Sequence, residues 1–168
     1  MSPIRLLFPA FTVALLVAFA GPTLAQDEGE EGGDRHAGYY YPEPQSEETY
    51  VARAVTLPDS DRSRRLGFVT LLTQQQLTAP YSPSIAMFAK GEEAEKLIIV
   101  GLRDGPMDTI YRARGVLAML TASARTSELF RQYQVQDIFT FFDLLKLLGF
   151  ERLTVTNGKD FAHVIYIE

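Results

Sequence analysis

The sequence predicts an α+β domain: a mainly antiparallel sheet of about five strands packed by three to four helices, in the order β-α-β-β-α-α-α-β-β. Three observations predict it. Short β-branched stretches pair off around turn signals, at GEEAE (91–95) and at Asn157-Gly158. Longer stretches with apolar residues at helical spacing separate these pairs. One run, IFTFFDLLKLLGF, is apolar except at Thr140, Asp143 and Lys146, which fall every third residue. On a helix that spacing makes one narrow polar stripe, so the rest is expected to be buried.

The folded part is expected to start near Glu48, giving a domain over 48–168. Glu48 to Leu57 alternates and carries β-branched residues, so it reads as a strand. Pro58, Asp59, Ser60 and Asp61 stop it and offer helix caps. Asp61 to Gln76 then reads as a helix with Leu66, Val69 and Leu72 on one side and Phe68 beside Leu72. Arg62, Arg64 and Arg65 lie in its first turns, where the helix dipole disfavours cations. They are expected to pair with Asp59, Asp61 or an outside anion. Ser84–Lys90 and Lys96–Arg103 read as two strands of a hairpin. Asp108 can cap a helix to about Ala124, with Ile110, Ala113, Leu117, Leu120 and Ala124 along one face. A shorter helix follows through Tyr133. Asp137 can cap the apolar helix, and Gly149 suits the residue just past its end. That helix is either packed on the sheet or presented to a partner.

The end of the chain, ERLTVTNGKDFAHVIYIE, reads as a hairpin around Asn157-Gly158. A two-residue type I′ turn would set Thr156 opposite Lys159, Thr154 opposite Phe161 and Arg152 opposite His163. Residues directly opposite share a face, so Arg152, Thr154 and His163 form a candidate anion or ligand patch. The alternative is a histidine satisfied within the sheet. The last strand is apolar on both faces, which places it inside the sheet.

The first 25 residues, MSPIRLLFPAFTVALLVAFAGPTLA, have the three-part plan of a secretory signal peptide. One arginine precedes an apolar run, a Gly-Pro break follows, and small residues precede a cut after Ala25. A retained anchor or a buried helix are the alternatives. Residues 26–38, QDEGEEGGDRHAG, hold five acids and four glycines, so the arm over 26–47 is expected to be disordered. Tyr39, Tyr40 and Tyr41 stand before Pro42 and Pro44. Their rings either lie on the domain or dock a partner or a glycan. The expected localisation is the periplasm or the outside of the cell.

Composition narrows the chemistry. The chain has 168 residues, 16 basic and 21 acidic, for a net charge of −5. That argues against a nucleic-acid partner, which needs a basic face. Without cysteine, thiol catalysis and thiolate metal sites are excluded. The two histidines are His36, in the acidic arm, and His163. No Gly-x-Ser-x-Gly, phosphate-cradling loop or Gly-x-Gly-x-x-Gly occurs. Glu92, Glu93 and Glu95 form a charged loop, solvated or weakly calcium-binding. Asp143 becomes a candidate acid or base if buried, and Lys146 at i+3 offers an ion pair instead. No catalytic residue, metal or cofactor is expected from these residues.

The stretches YYYPEPQSEETYVARAVTLPDSDRSRRLGFVT, FAKGEEAEKLIIVGL and DIFTFFDLLKLLGFERLTVTNGKDFAH resemble a family of small exported alphaproteobacterial proteins. That family often carries the label molybdopterin-guanine dinucleotide biosynthesis protein A. The resemblance covers nearly the whole chain after the leader. It implies an exported protein and, through the label, a factor of molybdenum-cofactor biosynthesis or maturation. The guanylyltransferase of that name carries a Gly-rich, Arg-containing loop after its first strand. The corresponding LPDSDRSRRLGF has arginines but no glycine pair, so the resemblance assigns no catalytic residue. The residues themselves point to an exported domain that binds a protein or envelope partner without catalysis.

Overall fold

The computed structural model describes residues 42–168. The expected signal peptide over 1–25, His36 and the tyrosines Tyr39, Tyr40 and Tyr41 lie outside the described residues. The chain runs β1 (Ser46–Tyr50), α1 (Arg62–Thr78), β2 (Ile85–Lys90), β3 (Lys96–Gly101), α2 (Ile110–Arg125), α3 (Glu128–Gln132), α4 (Phe141–Leu147), β4 (Arg152–Thr156) and β5 (Ala162–Ile167). The domain is therefore α+β, with five strands and four helices among the described residues.

The sheet is mixed, which corrects the expectation of a mainly antiparallel one. Its order is β1-β5-β4-β3-β2. The pairs β2–β3 and β4–β5 are antiparallel hairpins, whereas β1–β5 and β3–β4 are parallel. The parallel pairs arise where the chain crosses over through helices, which a hairpin reading does not reveal. β5 lies between β1 and β4, as its two apolar faces required. β1 starts earlier than expected, taking in Ser46 and Glu47, and ends at Tyr50.

The last hairpin departs from the two-residue turn. Asn157 Oδ1 accepts from the backbone N–H of Lys159 (3.0 Å), Asp160 (3.1 Å) and Phe161 (3.0 Å). The side chain thus organises a longer loop, and Thr156 pairs with Ala162. The register is displaced by an odd number of residues, so side chains change faces. Arg152 stands opposite Tyr166, and His163 stands opposite Val155.

The main core lies on one face of the sheet. Leu97, Ile99, Leu153, Val155, Ile165 and Ile167 meet Val69, Ala113, Leu117, Phe130, Phe141 and Leu145 from the helices. The other face carries a small cluster of Ile98 and Ala162 with Phe88 and Val100 beside them, and among the described residues no helix residue belongs to it.

Local chemistry sets the helix ends. Asp61 caps α1 by accepting from the Arg64 N–H at 2.8 Å. The mismatched arginines behind that cap have separate uses. Arg64 pairs with Asp59 at 2.5 Å on the surface. Arg65 turns inward and is only 6% exposed. It donates to the carbonyls of Glu93 (2.8 Å), Leu148 (3.3 Å) and Gly149 (3.3 Å), so it satisfies the end of α4. Gly149 has φ +76, a conformation that a side chain resists, and sits just past the Leu148 C-cap. α4 begins later than Asp137 suggested. Thr140 is its N-cap and forms a reciprocal capping box with Asp143.

Candidate functional site

Three concave regions concentrate chemistry on the described domain. The first is an apolar groove of about 400 Å³ between α1, the C-terminal half of α2 and α4. Phe68, Leu71, Leu72 and Gln75 form its α1 wall, and Leu120, Ser123 and Ala124 the α2 wall. Phe141, Leu144 and Leu148 make its floor, with Thr126 and Ser127 at the rim. The groove exists because α1 rests mainly on β2 while α2 packs on α4. The apolar stripe of α1 is therefore only partly covered. Leu71 is 53% and Leu77 69% exposed, and Met119 on α2 is 62% exposed. None of the described lining residues is charged. Its size and lining are those of a site for apolar groups, with Gln75, Ser123, Thr126 and Ser127 available for a few hydrogen bonds.

The second region lies along β1 at the sheet edge. A cleft of about 360 Å³ is lined by Glu48, Tyr50, Arg114, Leu117, Ala118, Thr121, Thr140 and Phe142. Glu48 accepts from Arg114 Nη2 at 2.7 Å, and its other oxygen lies 3.4 Å from His163 Nε2. Partial burial works to raise the Glu48 pKa. Hydrogen bonds and charge from Arg114 and His163 outweigh it and leave the carboxyl below its ordinary range. His163 Nδ1 lies 2.8 Å from Ser46 Oγ and 3.0 Å from the Ser46 carbonyl oxygen. Serine, histidine and glutamate thus meet in one cluster, and the tautomer of His163 sets their roles. With the hydrogen on Nδ1 the ring donates to the Ser46 carbonyl, and with it on Nε2 the ring faces Glu48 and Nδ1 accepts from Ser46 Oγ. The cluster is a clasp that ties β1 to β5.

Asp143, beside this cleft, is fully buried. Its carboxylate accepts from Arg53 N (2.7 Å), Thr140 N (2.7 Å), Thr140 Oγ1 (2.9 Å) and Tyr50 Oη (3.2 Å). Its oxygens are committed to holding the β1–α1 connection on the start of α4, which leaves no free acid for chemistry. Lys146 donates to the Ile167 carbonyl at 3.5 Å.

The third region gathers Glu92, Glu93, Glu95 and Glu151 around Arg65 and Gly149. Glu95 accepts from the Glu93 N–H at 3.1 Å, and Glu93 lies 3.8 Å from Arg65. Among the described residues, no group of three or more histidines and carboxylates is arranged to hold a metal ion.

The structure does not assemble the patch of Arg152, Thr154 and His163. Arg152 and Thr154 share one sheet face with Val164 and Tyr166, and His163 is on the other with Val155. Sequence reasoning missed the groove. Its visible signal was Leu71 next to Leu72, which widens the α1 stripe beyond what β2 can cover. It also missed the Ser46–His163–Glu48 clasp, because the strands that carry it are far apart in sequence. No helix among the described residues is long and apolar enough to cross a membrane. No family model, curated protein or solved structure matches this chain.

Proposed function

We propose that this is an exported protein that acts by binding, and that the α1–α2–α4 groove receives an apolar segment of an envelope protein. One observation carries the binding reading: a groove of about 400 Å³ with no charged residue in its described lining, flanked by an exposed leucine that has no structural reason to face water. Helix-walled grooves of this type take apolar anchors spaced along a partner segment. The leader-like first 25 residues support export.

A neutral apolar fluorophore, N-phenylnaphthylamine, tests the groove. It should bind saturably at one site, and Ser123→Trp should weaken it at least tenfold by filling the groove from its α2 wall, where Ser123 is exposed and outside the core. Absence of saturable binding, or binding indifferent to Ser123→Trp, would refute the reading. Membership in molybdenum-cofactor biosynthesis or maturation is the second reading, favoured by the resemblance of the three sequence stretches. It requires nucleotide binding.

A further inference from the structure

Three polar side chains line up on the helix-facing side of β1 and β5, away from the groove. Ser46 is level with His163 in the parallel register, and Glu48 follows two residues on, level with Ile165. Side chains on a strand alternate between faces, so Ser46, Glu48 and His163 share the face that Ile165 turns to the core. Ser46 Oγ lies 2.8 Å from His163 Nδ1, and Glu48 Oε1 lies 3.4 Å from Nε2. The imidazole thus stands between a hydroxyl and a carboxylate. Ser46 is exposed, which puts the hydroxyl end of the row at the surface.

We propose that Ser46, His163 and Glu48 form a catalytic relay that hydrolyses esters of short apolar acids. The activity is separate from the groove and does not rest on it. The relay uses the tautomer with the ring hydrogen on Nε2, and charge favours that form. Against partial burial, Arg114 and His163 hold the Glu48 carboxyl below its ordinary range, and Arg114 Nη2 donates to it at 2.7 Å. A carboxylate is a stronger acceptor than the neutral Ser46 carbonyl, which lies 3.0 Å from Nδ1. It also repels a lone pair on Nε2. With the hydrogen there, Nδ1 keeps the lone pair that takes a proton from Ser46. The 3.4 Å separation is longer than a formed hydrogen bond. Contacts of this type are long in a free enzyme and tighten as the reaction develops charge.

The steps balance without a cofactor. Ser46 Oγ attacks the ester carbonyl carbon, and its proton passes to His163 Nδ1. The bond to the leaving alcohol then breaks, and the alcohol takes that proton. Water attacks the acylated Ser46 with the same transfer through Nδ1, releasing the acid and restoring the hydroxyl. Ser46 and His163 are the catalytic residues, and Glu48 and Arg114 are positioning residues. The substrate class follows from the neighbouring cleft. Glu48 lines it together with Leu117, Ala118 and Phe142, and Ser46 is two residues away on the same face, about 7 Å. A short apolar acyl group on Ser46 Oγ therefore reaches the cleft.

p-Nitrophenyl butyrate tests the relay on the full chain. It should be hydrolysed saturably and at least tenfold faster than in buffer, and Ser46→Ala should abolish the excess. A fluorophosphonate should bond to Ser46 Oγ with loss of fluoride, giving one added mass on the intact chain that Ser46→Ala lacks. His163→Gln should slow hydrolysis by roughly a hundredfold. Glu48→Gln should lower kcat at least tenfold with KM within twofold, and Glu48→Asp should recover part of kcat, a pattern that a merely structural contact does not produce. Hydrolysis no faster than in buffer, or hydrolysis and labelling that survive Ser46→Ala, would overturn the relay. Full activity in a folded His163→Gln would overturn it too, and if that variant does not fold, the Ser46→Ala comparison decides.

Discussion

Replacing Asp143 by alanine should be among the most damaging single changes in the domain. The carboxylate is fully buried and accepts four hydrogen bonds, two of them from backbone N–H groups at 2.7 Å. Asp143→Ala removes the reciprocal half of the α4 capping box, worth about 1 kcal/mol. It also leaves the Arg53 N–H without its acceptor, which costs roughly 1–3 kcal/mol in a partly buried place. The expected loss is about 3 kcal/mol, or on the order of 10 °C in Tm for a domain of this size. Asp143→Asn keeps one acceptor oxygen but turns an amide NH₂ toward other donors, so about half the loss should remain. Urea unfolding followed by circular dichroism measures both, with Glu128→Ala as a surface control. Glu128 is 86% exposed at its side chain, and its change should stay within about 0.5 kcal/mol. A loss below about 1 kcal/mol for Asp143→Ala would refute the assignment of this residue as a structural cap.

Other perturbations test separate parts of the account. Gly149→Ala should cost about 2 kcal/mol, because a Cβ there would lie 2.4 Å from Ser60 Oγ and 2.6 Å from Arg65 Nη1, at φ +76; unchanged urea stability would contradict it. Asn157→Ala should cost about 1–2 kcal/mol by releasing three loop N–H groups, and hydrogen exchange should quicken at Lys159, Asp160 and Phe161 first. The Glu48 carboxyl titrates below its unfolded value, so its contribution is fully present above the unfolded pKa and fades as pH falls through the folded one. Its side chain is 36% exposed, which keeps the contribution under about 1 kcal/mol. The stability gap between the native chain and Glu48→Gln should therefore be present at pH 7 and closed near pH 3. Millimolar GTP with magnesium should leave Tm unchanged within about 1 °C, whereas a clear rise would support the molybdenum-cofactor reading.

The parts of the fold legible in the sequence are those governed by local chemistry. GEEAE marked the β2–β3 hairpin, the Ala113–Leu117–Ala124 stripe marked the inner side of α2, and Gly149 marked the end of α4. Thr140 followed by Asp143 is itself a capping-box signal, but Asp137 competed with it as a cap and set the expected start too early. The dipeptide Asn157-Gly158 misled for a physical reason. The asparagine oxygen could serve three N–H groups in a longer loop, and the resulting odd slip moved His163 away from Arg152 and Thr154. The Ser46–His163 contact spans 117 residues and a parallel pairing, which no local pattern encodes. The groove was hidden for a related reason: it depends on how far α1 stands from α2, and spacing within either helix carries no information about that.

Binding through the α1–α2–α4 groove is tested most directly by placing a photoreactive p-benzoylphenylalanine at Leu71 in the full chain, expressed in a Gram-negative host. Irradiation in cells should join it to a discrete envelope protein, and Ser123→Trp in the same chain should abolish that adduct. No adduct at Leu71, or one that persists equally with the groove filled, would contradict the account.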